Sequence, residues 1–355
     1  MLGNNETPFA AIGFEQMHRD GQRMAVAAVR ASYELHPDGT LTAAGRQALV
    51  LSDVYDGSPA TAPLLAASDL VPFKPAADVT VLGEAHAPDA EALSAWAAGV
   101  KVGDRAHVLR VHGARQWEPR GGRFVLGPAT PCTRAPIDWR AASGGRHIGD
   151  PKGNVDPRNP VGPGLIDAKY TSPLHAYDAP QVDSEEHPVA DPLGRPEPQG
   201  FGPVPPHWAW RSRHAGTFDP AWHDARAPRL PADFDYRFHQ CAHPALATPD
   251  YLRPGTRIVL GRLAAGAGQL SLQLPDVEPF AHFRWTDGRE VFARLNRDGV
   301  HIDLRGEPPW PVAITFRCWI EACPQLYKVD VGLTDEQGAR GLPAAGLHGL
   351  AEARA

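Results

Sequence analysis

The stretch VAITFRCWI, residues 312–320, decides the fold class of this chain. Its apolar side chains recur at every second position: Val312, Ile314, Phe316, Cys318 and Ile320. Successive side chains of a β-strand point to opposite faces, so this period of two predicts a strand with one buried face. The same alternation runs from Arg23 to Leu35 and predicts a second long strand near the other end of the chain.

Shorter segments with strand character lie between and beside these two. They are residues 79–82, 106–112, 123–126, 257–263, 269–274, 290–295 and 300–304. Residues 90–98 fit a helix by their alanine content and a strand by their alternation. Asn296-Arg297-Asp298-Gly299 predicts a turn. Many short strands are typical of sandwiches and barrels. The sequence therefore predicts a mainly β fold: an antiparallel β-sandwich or barrel-like core with long Pro- and Gly-rich irregular loops and few short helices.

The composition supports this fold class. The 355 residues include 37 prolines and 35 glycines, and 43% of the chain is hydrophobic. Proline lacks the backbone N–H and clashes with the preceding helical turn, so this proline content excludes a helical bundle. The apolar fraction and the nine tryptophans are enough to bury a core, which excludes wholesale disorder.

The distribution of proline and of apolar periodicity along the sequence suggests how the chain is divided into structural parts. Residues 151–206 show little apolar periodicity, whereas strand patterns return after residue 254. We therefore expect a β-rich part at 1–150, an irregular coat at 151–254, a second β-rich part at 255–330 that packs with the first, and a flexible tail at 331–355. Within the coat, the crowded acids and prolines of residues 183–198 predict a mobile stretch.

Charge and cysteine content exclude several classes of partner. The formal net charge is −6 and no basic stripe is visible, so we expect no nucleic-acid partner. No stretch approaches 18 apolar residues, and no secretory signal is visible at the N-terminus, so we expect a cytoplasmic protein that does not enter a membrane. The four cysteines are unpatterned and are expected to be reduced thiols.

Motifs of known chemistry are missing. The chain contains no Gly-x-Ser-x-Gly elbow, no Walker loop and no His-Glu-x-x-His, so we expect no enzyme and no cofactor. His239, Cys241 and His243 would offer three zinc ligands, but on a strand they would stand about 7 Å apart along one face. Ordinary hydrogen-bonded imidazoles are the preferred interpretation, and zinc at His239 and His243 is the alternative.

Aromatic and acidic residues crowd together at residues 208–238. Trp208, Phe218, Trp222 and Phe234 lie among acids. Aromatic platforms beside paired carboxylates describe a sugar site. The other interpretation is that the rings pack an irregular segment onto the sheet while Asp219, Asp233 and Asp235 cap turns. A second unusual string, DPRNPVG at residues 156–162, presents Arg158 from a loop that two prolines stiffen.

Several strings resemble one bacterial family. They are FKPAAD (73–78) with Gly83 and HAP (86–88), RNPVG (158–162), GFGP (200–203) with His207 and Trp208, AGTFD (215–219) with Trp222 and Arg226, and LPADFD (230–235). Together they resemble the blocks of the family catalogued as domain of unknown function 2169, in order, from about residue 23 to 320. The resemblance implies a strand at residues 90–98. The segment 239–243 does not match the family pattern.

The resemblance also implies a function. Members of this family accompany type VI secretion genes and are thought to act as adaptors or chaperones that load an effector on the secretion spike. The expected partners are a type VI effector and the spike or spike-tip proteins, and no catalytic residues carry over. The residues expected to bind the partner are Lys74, Arg158, Asn159, Trp208, Arg211, Phe218, Asp219, Trp222, Asp233, Phe234 and Asp235. The alternative is a carbohydrate-binding or glycan-processing protein that uses residues 208–238.

Overall fold

A computed structural model describes residues 2–322 and 326–334 of the chain. The strands, in chain order, are β1 (Leu2–Asn5), β2 (Ala10–Met17), β3 (Arg23–Leu35), β4 (Leu41–Ala43), β5 (Val54–Tyr55), β6 (Leu64–Ala66), β7 (Asp78–Leu82), β8 (Glu84–His86), β9 (Ala95–Val102), β10 (Arg105–His112), β11 (Gln116–Arg120), β12 (Arg123–Leu126), β13 (Arg134–Pro136), β14 (Tyr177–Asp178), β15 (Val182–Asp183), β16 (Arg257–Gly261), β17 (Gln269–Gln273), β18 (Pro279–Trp285), β19 (Glu290–Arg294), β20 (Asn296–Asp303), β21 (Trp310–Glu321) and β22 (Leu326–Leu333). The helices are α1 (Ala209–Ser212), α2 (Pro220–Ala225) and the 3₁₀ turns Pro88–Ala90, Tyr236–His239 and Pro244–Leu246.

The two long strands pair at the centre of the fold. β3 and β21 are antiparallel over twelve residue pairs, from Met24 opposite Glu321 to Leu35 opposite Trp310. They lie in a six-stranded sheet of order β2-β3-β21-β20-β7, in which β4 pairs with β3 and the β20–β7 contact is parallel. Strands from opposite ends of the sequence therefore build one sheet.

Two further large sheets share the core with this one. Their orders are β15-β10-β9-β16-β17 and β1-β22-β18-β19, and smaller pieces are β12-β11-β14, β13-β8 and β5-β6. The main core cluster joins Val29 and Ile314 of the central sheet to Leu109, Ile258 and Phe283 of the other two. The predicted mainly β fold with antiparallel sheets is confirmed, and within the described residues no sheet closes into a barrel.

The predicted turn at residues 296–299 is wrong. β20 begins at Asn296 and runs through these residues, with a register shift between Arg297 and Gly299. Asp298 is buried, forms an ion pair with Arg317 and accepts a hydrogen bond from Thr315 at 2.9 Å. A buried carboxylate paired in this way satisfies its charge inside the sheet, so the turn-forming residues serve a bulge instead.

Two other expectations need correction. The strand expected at residues 90–98 starts only at Ala95, since Pro88–Ala90 forms a 3₁₀ turn and Leu93 makes an isolated bridge. The expected flexible tail 331–355 begins inside β22, and its residues from 335 onward lie outside the described part of the chain.

The coat (residues 151–254) is irregular, as its proline content predicts, but much of it is interior. Its described structure is α1, α2, two 3₁₀ turns and the short strands β14 and β15. Phe201 has no exposed surface, and Asp183 is 1% exposed although it begins the stretch predicted to be mobile. That prediction is wrong at Asp183, because basic side chains of β10 and of the segment after it surround the carboxylate.

Candidate partner-binding surface

The aromatic segment of the coat is anchored first by α1. Trp208, the residue before this helix, has no exposed surface, and its ring meets the edge of Trp139 at a centroid distance of 5.6 Å. Arg211 is 6% exposed and donates hydrogen bonds to the carbonyls of Phe238 and Val204, both at 2.8 Å. A guanidinium used in this way satisfies buried loop carbonyls. Trp208 and Arg211 therefore hold the segment in place from inside.

A second anchor covers the other face of the central sheet. Phe234 is 3% exposed and belongs to a cluster with Phe73, Tyr236 and two β3 side chains, Met24 and Val26. Ala25, which lies between these two, and Ala27 belong to the main core, so the coat buries the opposite face of the same strand. Phe234 thus fixes residues 230–238 on the sheet.

Between these anchors, an aromatic pair lies at the start of α2, with Phe218 exposed just before the helix and Trp222 half-buried within it. The Asp219 carboxylate caps the helix by accepting the Trp222 N–H at 2.7 Å, and the Trp222 indole donates to the Arg229 carbonyl at 2.9 Å. Phe218 is 57% exposed and packs against Trp222 with ring centroids 4.7 Å apart and an interplanar angle of 74°. This is the favourable edge-to-face geometry of an aromatic pair.

Asp233 closes the loop that leads into α2. It accepts the Thr217 N–H at 2.9 Å and the Thr217 hydroxyl at 2.7 Å. Gly216, with φ at +78°, permits the approach, because a Cβ there would lie 2.7 Å from the Cβ of Pro231. Thr217, Phe218, Asp219, Trp222 and Asp233 together form a feature that we call the α2 surface.

Three carboxylates of the segment, those of Asp219, Asp233 and Asp235, are held by local donors. Hydrogen bonds from Thr217 lower the pKa of Asp233 below its ordinary value. Burial acts to raise the pKa of Asp235, but hydrogen bonds from Arg237 and the nearby His214 lower it overall. A general acid in glycoside hydrolysis needs a raised pKa. These carboxylates instead cap backbone N–H groups, as the structural interpretation of the sequence predicts.

The Arg158 loop braces the coat internally. Arg158 donates to the buried carboxylate of Asp156 at 2.6 Å and 3.0 Å and to the Arg195 carbonyl at 3.1 Å. Asn159 has no exposed surface, and its amide donates to the Trp139, Ala142 and Ser143 carbonyls at 2.8–3.3 Å. Arg158 is partly exposed, whereas Asn159 acts only inside the protein.

Lys74 is likewise interior. Its ammonium lies 2.9 Å from Asp78 Oδ2, which also accepts the Cys241 N–H at 2.8 Å. Burial acts to lower the pKa of Lys74, but the charges of Asp78, Cys241 and Asp298 raise it above the ordinary value. Lys74 is therefore a charged structural group that ties β7 to the coat.

The eleven predicted residues thus divide by location. The buried ones are Lys74, Asn159, Trp208, Arg211 and Phe234. A folded partner cannot touch these side chains, so they position the surface and do not form it. Those with exposed or partly exposed side chains are Arg158, Phe218, Asp219, Trp222, Asp233 and Asp235.

Sequence reasoning missed the side chains that tie this segment to the N-terminal strands. Arg226 donates to the Leu230 carbonyl at 3.2 Å and also reaches the Arg19 carbonyl, while Arg19 donates to the Phe234 carbonyl at 2.9 Å. The only signal was Arg226 itself, within one of the family-like strings. A hydrogen bond from a side chain to a backbone carbonyl more than 200 residues away in the chain leaves no periodic pattern in the sequence.

The histidines considered for zinc point into different surroundings. His243 stacks on His107 with centroids 4.3 Å apart, whereas Cys241 lies beside Lys74. Burial lowers the pKa of His239 and of His243 to about 3. Within residues 2–322 and 326–334, no group of three or more His, Cys, Asp or Glu side chains has an arrangement that could hold a metal ion.

Comparison with known families places these features in context. The model of a family described as an uncharacterized protein conserved in bacteria (DUF2169) matches residues 20–314. The chain belongs to this family. The match includes the Arg158 loop and the whole α2 surface, and the description assigns no activity to either. No curated protein and no solved structure matches the chain. In the described part of the chain, no helix has the length and apolar character needed to cross a membrane.

Proposed function

We propose that this DUF2169 protein is a non-enzymatic cytoplasmic adaptor that binds a type VI secretion effector, or its spike-tip domain, and promotes loading onto the secretion spike. The observation that carries the proposal is the α2 surface, where Phe218 and Trp222 form an aromatic pair on a loop whose backbone groups are held by Asp219 and Asp233.

The chemistry of this surface suits protein recognition. Binding energy at protein interfaces concentrates in a few aromatic and arginine side chains surrounded by polar groups. Phe218 supplies exposed aromatic area, and Asp219 and Asp233 supply the polar rim. The caps hold the loop before any partner arrives, which reduces the entropy lost on binding.

The mechanism follows from this surface and from the role of an adaptor. The aromatic pair would cover an apolar patch of the effector during its stay in the cytoplasm and so lower its aggregation. Docking on the spike would then release the adaptor by competition for the same patch. The glycan alternative receives no support from the geometry, because the carboxylates that suggested it serve as caps.

Co-expression with the product of the adjacent effector gene tests the proposal. We expect a stable complex and more soluble effector when both proteins are made together. Phe218→Ala and Trp222→Ala should each weaken the complex by about tenfold or more, as for central aromatic residues of interfaces. Leu174→Ala is the matched control, because Leu174 is 75% exposed and lies on a different loop of the coat.

Two results would contradict the proposal. One is an effector whose solubility and loading are the same with and without this protein. The other is a glycan array that shows specific binding abolished by Asp219→Asn or Asp233→Asn, which would support the sugar alternative. Circular dichroism of each variant separates loss of binding from loss of fold.

A further inference from the structure

A cavity of about 370 Å³ lies where three segments of the β core meet. Its lining comes from the end of β8 and the 3₁₀ turn after it (residues 86–90), from Thr133 and Arg134 at the start of β13, and from the hairpin between β16 and β17 (residues 262–268). Small-molecule sites in proteins typically have about 300–1,000 Å³. The cavity is therefore large enough for a small ligand, and it shares no residue with the α2 surface.

Backbone hydrogen bonds hold the three segments together around this cavity. The His86 N–H donates to the Arg262 carbonyl at 2.8 Å, and the Ala87 N–H donates to the Thr133 carbonyl at 2.9 Å. Within the hairpin, the Arg262 N–H donates to the Gly268 carbonyl at 3.0 Å. Walls that are bonded to one another are in place before a ligand arrives, which lowers the entropy lost on binding.

The backbone around the cavity has an unusual conformation. Among the described residues, three residues other than glycine have a positive φ: Asp89 at +52°, Ala90 at +55° and Arg262 at +59°. All three line the cavity. Aspartate tolerates this left-handed conformation, but alanine and arginine rarely adopt it, because their Cβ crowds a carbonyl oxygen. Backbone strain of this kind concentrates at ligand-binding and active sites.

The guanidinium of Arg262 is available to a ligand. Arg262 is partly buried, and its side chain forms no hydrogen bond or ion pair with any residue that the structure describes. A Cβ at Gly268 would lie 3.4 Å from Arg262 Nη1, so the guanidinium lies against the backbone of this glycine. No side chain at position 268 covers it, and its N–H donors need a partner with acceptor oxygens.

The other charged residues of the lining are Arg134 and Asp89. Arg134 lies 3.4 Å from Glu84, but both side chains are at least half exposed, and such solvated pairs are weak. Burial lowers the pKa of His86, so this imidazole carries no charge at neutral pH. The lining therefore presents two guanidinium groups and one carboxylate, which favours an anion.

We propose that this cavity binds a small molecule with a carboxylate or phosphate group, and that Arg262 holds this group. The planar guanidinium presents paired N–H donors that match two oxygens of a carboxylate or phosphate. Among the described residues that line the cavity there is no Phe, Tyr or Trp, so it lacks the platforms on which a nucleobase or a sugar ring would stack. Arg134 supplies a second cation and Thr133 a hydroxyl group.

Thermal unfolding of the full chain with inorganic phosphate and with succinate tests the proposal. At about 10 mM and constant ionic strength, at least one of these anions should raise the midpoint by about 2 °C, as for a dissociation constant near about 1 mM. Arg262→Gln removes the charge and should weaken binding at least about tenfold, which reduces the rise below about 1 °C. Arg105→Gln is the matched control, because Arg105 is an exposed arginine of the same five-stranded sheet that does not line the cavity.

Thr133→Trp is a second variant, which keeps every charge and should abolish the rise because the indole fills the cavity. A cooperative transition without anion shows that each variant is folded. Phosphate also stabilises proteins by exclusion from their surface, but that effect would be equal in the wild type and in Arg262→Gln. An equal rise in these two proteins, or no rise with either anion, overturns the proposal. A rise with one anion alone supports it and assigns the ligand group. No effector is needed, so this test and that of the adaptor proposal fail separately.

Discussion

Neutralising Asp183 should destabilise the whole protein. The carboxylate has no exposed surface and accepts hydrogen bonds from Arg110 at 2.9 Å, His112 at 3.1 Å, Arg115 at 3.3 Å and the Val189 N–H at 3.1 Å. Removing one partner of a buried ion pair costs about 3–5 kcal/mol, because the other charges remain buried. We expect Asp183→Asn to lower the free energy of unfolding by about 3 kcal/mol, the lower end of this range, because the Arg110 side chain is 43% exposed and part of its charge is screened.

Urea unfolding followed by tryptophan fluorescence measures this loss as a change in midpoint at constant slope. Glu186→Gln is the control, since it removes the same charge three residues further along from an exposed side chain and should change stability by less than about 0.5 kcal/mol. Limited proteolysis should also cut the coat faster in Asp183→Asn. A loss below about 1 kcal/mol, with cleavage of residues 183–198 unchanged, would refute the argument that this carboxylate anchors the coat.

The same carboxylate gives a pH dependence of known sign. Burial acts to raise the pKa of Asp183, but hydrogen bonds from His112, Arg110 and Val189 lower it well below its ordinary value of 3.8. A depressed folded-state pKa means that the stabilisation is fully present above the unfolded pKa and is lost as pH falls towards the folded one. The difference in unfolding free energy between the wild type and Asp183→Asn should therefore shrink steadily as the pH falls below about 4, and a difference that stays constant from pH 5 to pH 2 would contradict this.

Three further predictions concern buried polar groups. Asn159→Ala should cost about 3 kcal/mol in urea unfolding, at about 1 kcal/mol for each of the two amide N–H donors and for Oδ1, which accepts the Val161 N–H at 3.3 Å. The exposed Asn154→Ala should cost less than about 1 kcal/mol. Burial lowers the pKa of His243 to about 3. The free energy of unfolding of the wild type should therefore fall by up to about 1.4 kcal/mol per pH unit below pH 6.5 because of this group, and that of His243→Phe should fall less steeply with decreasing pH. Burial raises the pKa of the Cys241 thiol to about 11, so iodoacetamide should label Cys132 in the native protein and Cys241 only after unfolding, as mapped by mass spectrometry.

The strands with a clean alternation could be predicted from the sequence. β3 has the predicted bounds Arg23–Leu35, and β12 has the predicted bounds Arg123–Leu126. β18 was missed, although its inward side chains alternate, because Phe280 and His282 on the outer face blur the period of two. Side chains that are apolar or aromatic on both faces remove the contrast on which such a prediction depends.

Burial within the candidate site could not be predicted in the same way. Asp219, Asp233 and Asp235 act as caps, which short-range rules anticipate. Lys74 and Arg211 looked like surface groups but are interior, because their partners, Asp78 on β7 and the carbonyls of Phe238 and Val204, come together only in the fold. Local sequence carries no record of such pairings.

The pairing of β3 with β21 has a consequence for synthesis. Ala25 lies opposite Ile320, so almost the entire chain must leave the ribosome before the central sheet can form. At about 5–20 residues per second, β3 waits roughly 15–60 s for its partner. During that interval the edge of β3 that later pairs with β21 stays unpaired, which makes it a template for non-native strand pairing in the nascent chain.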